Sequence, residues 1–461
     1  MFQHVSPSHL TSSATPNAWR PLARACALAV LGMAGSLSAQ AENLVDLYQA
    51  ARGYDAAYLA AKSQFDAAQF KADQARSLQR PSVNLQATVK RNRLESSVEG
   101  PVSYDGSSTN SQLAVAARQP LFNQSNSAKV SQAEVSLNAA QADLKMAEDD
   151  LVARLAQAYF DVLSAQDVLA TAQANKKALA EQLASAKRSF EVGNSTITDT
   201  REAQARFDLA TAQELAATND LRVKRIALDQ LVGRADVKPN PLRTPVNLES
   251  LDPGQIDPWV QNTVTSPMVR KAEVGLKVAQ LEVDNARAGH MPTLDAVAQL
   301  ARTHNSSSND LIKAQSGAGT SGSIGLEFNM PLYAGNAIQN RVRETLSLQD
   351  KAERDLENAR RSVDLGTRQA YSGVQSGLAQ VKAYEAAESS AKLALEATQL
   401  GYRVGVRINK DVLDAQTQLT NTQKDLYKAR YDVIIGAIKL RQAAGTLTAD
   451  DLAELNKLVA P

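Results

Sequence analysis

Cysteine is nearly absent from this chain: its single copy, Cys26, falls within the first 41 residues. One thiol makes no intrachain disulfide and no zinc–thiolate cluster. Aromatic residues are scarce at 5%, and alanine dominates the apolar class. Such a composition buries its apolar surface along helix seams rather than in a thick globular core. Neither sign of charge prevails, because 50 basic and 49 acidic residues leave a net +1. That excludes the basic footprint of a nucleic-acid binder, so no nucleic-acid partner is expected. Beyond residue 41 the histidines are His290 and His304, each near the end of a strand-like run. They form no catalytic or metal-ligating constellation; the chain reads as a non-enzyme without cofactor or metal. No apolar run after residue 41 is long enough to span a bilayer as a helix. Entry into a membrane is therefore left to strands.

The first 41 residues read as an export signal. Arg20 and Arg24 form the basic flank, Ala25 to Leu37 is the apolar run, and Ser38-Ala39-Gln40-Ala41 ends in a small-x-small cleavage pattern. Cleavage after Ala41 predicts a mature chain that starts at Glu42 and contains no cysteine. Cys26 lacks the preceding small residues of a lipidation site, so no lipoprotein is expected.

Beyond residue 41 the chain repeats itself. Pro81 and Pro292 each open an alternating run, Pro120 and Pro331 each close another, and both pairs lie 211 residues apart. Further on the offset is 212: Phe190-Glu191-Val192-Gly193 answers Tyr402-Arg403-Val404-Gly405, Asp199 answers Asp411, and Gly233 answers Gly445. This is an internal duplication. A first repeat over residues 42–237, a Pro-rich linker at 238–258 and a second repeat over 259–461 are expected.

Within each repeat one stretch is built for a long helix. From Asn123 to Glu191 there is no proline and no glycine. Ala133, Leu137, Ala140, Leu144, Ala147 and Leu151 alternate steps of four and three, the seam of a coiled coil. About 70 residues at about 1.5 Å each give a rod of roughly 100 Å. The counterpart runs from about Asn336 to Arg403, interrupted by Gly366, Gly373 and Gly377. Shorter helices are expected at Glu42–Arg80, Thr198–Val232, Gln255–Met291 and Asn409–Ala444, stacked end to end beside the long ones.

Four alternating runs complete the pattern, at about 81–90, 111–122, 292–302 and 322–333. Each is about 10 residues, the length of a tilted transmembrane strand. Polar segments at Asn92–Asn110 and Thr303–Ser321 read as outward-facing loops. Four strands cannot close a barrel, and an open edge is not tolerated in lipid. The chain must therefore oligomerise: two copies give 8 strands with a filled interior, and three give 12 with room for a lumen.

With these parts in view, the chain resembles the TolC family of outer-membrane channel-tunnels over its whole mature length. The resemblance rests on Ala158-Tyr159-Phe160-Asp161-Val162-Leu163, Gly289-His290-Met291-Pro292-Thr293-Leu294-Asp295, Pro331-Leu332-Tyr333, Gly401-Tyr402-Arg403-Val404-Gly405 and Asp411-Val412-Leu413-Asp414-Ala415. It implies an α+β fold. In it a homotrimeric, 12-stranded transmembrane β-barrel, four strands per chain, continues into a long α-helical coiled-coil barrel across the periplasm. It also implies passive export, of drugs or, in type I secretion, of proteins. The implied partners are outer-membrane lipid, a periplasmic adaptor (membrane fusion) protein and an inner-membrane transporter of ABC or RND type.

Two helix–turn–helix tips, Phe190–Asp199 and Tyr402–Asp411, are each followed by acids three apart: Asp199 and Glu202, Asp411 and Asp414. Spacing of three sets both carboxylates on one helical face. The resemblance implies that Asp411 and Asp414 line the periplasmic entrance, where three chains make carboxylate rings that favour cations. It also implies a closing latch at Thr198, Asp199, Tyr402 and Arg407. Docking of the adaptor is expected at the exposed turns around Val192, Gly193, Val404 and Gly405. Lys410 departs from the family pattern, where an apolar residue stands; four residues before Asp414, it is placed to pair with that carboxylate and weaken the ring. The competing reading is a periplasmic coiled-coil adaptor without a channel. Paired acids also occur in glycosidases, but no accompanying sugar site is visible.

Overall fold

The computed structural model describes residues 43–95, 106–243, 245–308 and 316–459; the expected export signal lies outside the described residues. Helices α1 (Leu44–Tyr54) and α2 (Ala56–Arg76) lead into strands β1 (Ser82–Leu94) and β2 (Gly106–Phe122). The chain then descends through α3 (Gln124–Glu191), 68 residues long, turns, and climbs back as α4 (Ile197–Val232). The second repeat comes next, with α5 (Asp257–Asn262), α6 (Pro267–Ala288), β3 (Thr293–Ser307), β4 (Gly317–Asn329), the 67-residue α7 (Ala337–Arg403) and α8 (Asn409–Ala444). A short α9 (Asp450–Asn456) ends it.

The first expected short helix is in fact two. Asp55 breaks it with extended ψ, and its carboxylate caps α2 by accepting from the Tyr58 N–H at 2.9 Å. The helix expected over Gln255–Met291 is likewise split, because Pro267 opens α6 at its first turn. The glycines of α7 do not interrupt it. Gly377 lets α8 approach closely, since a Cβ there would lie 2.8 Å from the Val433 side chain.

Short helices do stack end to end. α2 and α4 lie along one side of α3, while α6 and α8 fill the space between α3 and α7. The junctions are made by the two answering glycines. Gly233 ends α4 at φ 74° with the Tyr54 ring where a Cβ would be, and Gly445 ends α8 at φ 74° against Ser266, which precedes α6. No side chain fits either place, and only glycine takes that backbone freely.

The principal core lies at this level. Leu151, Leu155, Tyr159, Phe160 and Leu163 of α3 pack with Leu44 and Leu47 of α1, Leu228 of α4, and Ile434 and Ile438 of α8. The linker and the C-terminus close over it. Leu242 bridges Val459, Arg243 N–H donates to the Leu458 carbonyl at 2.9 Å, and the Asn240 N–H donates to Tyr159 Oη at 2.9 Å. Burial pushes the Tyr159 hydroxyl up to about 12.

The strands form one antiparallel meander, β1-β2-β3-β4. Register places Leu85, Val115 and Leu300 in one row and Val83, Ala117, Ala298 and Ile324 in the next, so a single apolar face crosses all four strands. The opposite face carries Asn84, Ala116, Gln299 and Ser323 in one row and Thr88, Gln112 and Thr303 in another. Near its helical end Arg118 donates to Asp295 at 2.6 Å and lies 3.7 Å from Glu327. Strands of 13 to 17 residues outrun the expected 10. The residues expected as loops pair instead, as where the Asn110 side chain donates to Asn305 at 2.7 Å. These extensions are polar on both faces, so alternation stops marking them while pairing continues. Only residues 96–105 and 309–315 of the expected loops lie outside the described residues. β4 ends earlier than expected, at Asn329 rather than 333. No helix among the described residues is long and apolar enough to cross a membrane.

Candidate functional site: the tip of the helical bundle

Far from the sheet, α3 and α7 each end in a Schellman turn. Asn194 N–H donates to the Ser189 carbonyl and Gly193 N–H to Phe190; Val406 N–H and Gly405 N–H repeat this to Gly401 and Tyr402. Gly193 and Gly405 hold φ of 78° and 80° in open space. Val192 and Val404 beside them are exposed, as are Phe190, Ile197, Val406 and Ile408.

Asp199 and Asp411 occupy the same position in the two repeats but do different work. Thr196 is the N-cap of α4, and with Asp199 it makes a full capping box: the Asp199 N–H donates to Thr196 Oγ1 at 3.2 Å, and Asp199 Oδ2 accepts from the Thr196 N–H at 2.9 Å. In the second repeat the N-cap is Ile408, which has no side-chain acceptor. The Asp411 carboxylate is thereby left for Arg407, at 3.5 Å. One substitution at the cap separates a helix-starting carboxylate from an available one.

Asp414 is the most engaged acid of the four. Lys410 donates to its Oδ2 at 2.6 Å, as the spacing predicts. Arg206, from α4, donates to its Oδ1 at 2.8 Å and lies 3.9 Å from Glu202. The Lys410 hydrogen bond holds the Asp414 carboxyl below the usual carboxylate range, and the same contact raises Lys410. Arg206 is a residue that sequence reasoning misses. Its repeat position is Gln418, so duplication does not mark it; its one signal is the spacing of four from Glu202.

Among the described residues, Thr198 and Tyr402 are not joined to each other or to Arg407 by a hydrogen bond. Thr198 is exposed, and Tyr402 is half-buried against Leu395, Val412 and Leu419. Arg407 lies over Gly401, where a Cβ would come within 2.8 Å of its stem. Polar ties that the sequence does not announce join α3 to α8: Gln182 donates to buried Asn409 at 2.8 Å, and Thr420 donates to buried Asn175 at 3.0 Å.

Comparison with known proteins places this architecture. The model of the outer membrane efflux protein family matches residues 47–234 and 261–446. The outer membrane protein TolC of Vibrio cholerae is 33% identical over 428 residues, which are 92% of this chain and 95% of that protein. The proteases secretion protein PrtF of Dickeya chrysanthemi is 29% identical, covering 92% of this chain and 93% of its own. Among solved structures, the outer membrane protein VceC of Vibrio cholerae superposes with a TM-score of 0.74 over 87% of this chain and 96% of that one, at 19% identity. At that identity the likeness is one of fold.

Proposed function

This chain belongs to the outer membrane efflux protein family, and from that premise we propose a passive duct closed at its periplasmic tip. The protein is an outer-membrane exit duct for efflux or type I secretion, with its sheet in the membrane and its helices forming a tunnel into the periplasm. The sheet carries the reading. It has an apolar face for lipid, a polar face for a lumen, and unpaired edges at β1 and β4. Such edges cannot rest in hydrocarbon, and three copies close them into 12 strands. A coiled-coil adaptor without a channel has no use for this sheet.

The repeats at 42–237 and 259–461 then contribute six quasi-equivalent hairpins to one tunnel, with 238–258 as the belt between them. Asp411 and Asp414 line the entrance, with Glu202 and Asp199 beside them. Arg407, Tyr402, Thr198 and Lys410 hold the tips shut, by contacts between neighbouring hairpins and by pairing the acids. The turns at Val192, Gly193, Val404 and Gly405 receive a periplasmic adaptor, which couples the duct to an ABC- or RND-type pump. The duct itself performs no chemistry.

Planar-bilayer conductance of the detergent-extracted protein tests this, wild type beside Asp411→Ala/Asp414→Ala. Small currents that rise and change ion preference in the double mutant support a gate at these residues. A folded protein that neither inserts nor conducts would overturn the duct.

A further inference from the structure

We propose that Arg206 is a closing and charge-setting residue of the duct, tying the first-repeat tip hairpin to the second through Asp414. This rests on the reading that Asp411 and Asp414 line the entrance. Each hairpin is sealed along its own length by apolar side chains: Leu179, Leu183, Ala186 and Ala203 between α3 and α4, and Leu395, Val412 and Leu419 between α7 and α8. Between the hairpins Leu413 reaches into the first cluster, but the contacts around it are polar: Gln182 to Asn409, Thr420 to Asn175, and Arg206 to Asp414.

That difference sets where the tip parts. Separating apolar seams exposes surface at a cost proportional to area. On parting, the partly exposed Arg206–Asp414 pair is exchanged for water at small net cost, and Asn175 and Asn409, buried when the tip is shut, gain water in place of their partners. The second hairpin therefore leaves the first along the polar plane, and the two apolar seams remain intact. Among the described residues, Arg206 to Asp414 is the one side-chain hydrogen bond between α4 and α8. Those helices otherwise touch sparingly, each packing on a long helix. Because Gln418 stands where repetition would place a second arginine, the tie is made once per chain.

Arg206 also changes the charge of the entrance. Glu202, Asp411 and Asp414 are matched by Arg206, Arg407 and Lys410, all within 4 Å of a partner. With Asp199, whose carboxylate is held in its capping box, four acids stand against three bases, a net charge of −1 per chain; without Arg206 this becomes −2, and a three-chain ring goes from −3 to −6.

The test is reversal potential and conductance in planar bilayers under a potassium chloride gradient, with Arg206→Gln, Arg206→Lys, Asp414→Asn and the Arg206→Gln/Asp414→Asn pair. In Arg206→Gln the cation-over-anion permeability ratio rises about threefold and the resting conductance increases. Arg206→Lys keeps the wild-type ratio, and the pair shows less than the summed effects of its members. If Asp414→Asn shifts selectivity while Arg206→Gln changes neither quantity, the tie is refuted and the entrance stands. If Asp411→Asn and Asp414→Asn both leave selectivity and conductance unchanged, the entrance reading falls and the tie with it.

Discussion

Arg154 grips Asp55 with both prongs, Nη1 to Oδ1 at 3.0 Å and Nη2 to Oδ2 at 2.9 Å, where the first helix breaks and α2 begins. The carboxylate also caps α2. Asp55→Ala loses cap and pair together, and an unfolding cost of about 2–3 kcal/mol is expected after discounting for the half-exposed guanidinium. Asp55→Asn keeps the cap and costs about half as much. Hydrogen bonds from Arg154 hold the Asp55 carboxyl below its ordinary value. Its stabilisation is therefore fully present above about pH 4 and disappears as pH falls through the depressed value. Thermal dissociation of wild type and Asp55→Asn should converge in strong acid; a gap that persists there refutes the assignment.

The glycine pairs separate conformation from space. Gly193→Ala meets nothing within 4 Å and suffers only the left-handed backbone, about 1 kcal/mol. Gly233→Ala and Gly445→Ala add collisions at 2.4 Å with a ring and 2.5 Å with backbone. They should destabilise the detergent-extracted assembly by more than about 2 kcal/mol, Gly445→Ala the more, because a ring swings aside more readily than a main chain. Equal melting of all three variants would contradict this.

Lys410→Val removes one of the two cations on Asp414. Cation preference should increase, while Arg206 keeps the tip assembled. Since the pairing lowers the Asp414 carboxyl, wild-type selectivity should hold steady from pH 7.5 down to about pH 5. A titration of selectivity within that window would mean that another group controls it.

Adjacent residues of β3 report on opposite faces. Leu300→Arg places a guanidinium in the apolar band and should cost about 2–4 kcal/mol, with loss of membrane-inserted protein. Gln299→Arg, on the polar face, should insert normally and reduce cation conductance. The reverse result would exchange lipid and lumen.

Much of this can be read in the chain because duplication checks it twice. α8 begins at Asn409 and ends at Ala444 as periodicity predicts, and Gly445 marks its end. The break at Asp55 is hidden because aspartate inside a helical pattern looks like a solvated face; its role depends on Arg154, 99 residues away. The strand extensions are hidden because polar residues paired on both faces do not alternate. At the tip, spacing finds Lys410 and Asp414. It misses Arg206, whose partner lies 208 residues away on another helix, and a contact across helices leaves no periodic trace.

The open edges of the four-stranded sheet have a genetic consequence. A closed barrel has no place for a faulty sector, so one copy with a damaged β1 or β4 disables the two sound copies beside it. In a cell making equal amounts of sound and damaged chain, random mixing leaves only about one-eighth of three-chain assemblies intact. Lesions in those strands should behave as dominant, whereas lesions confined to one tip hairpin should dilute in proportion.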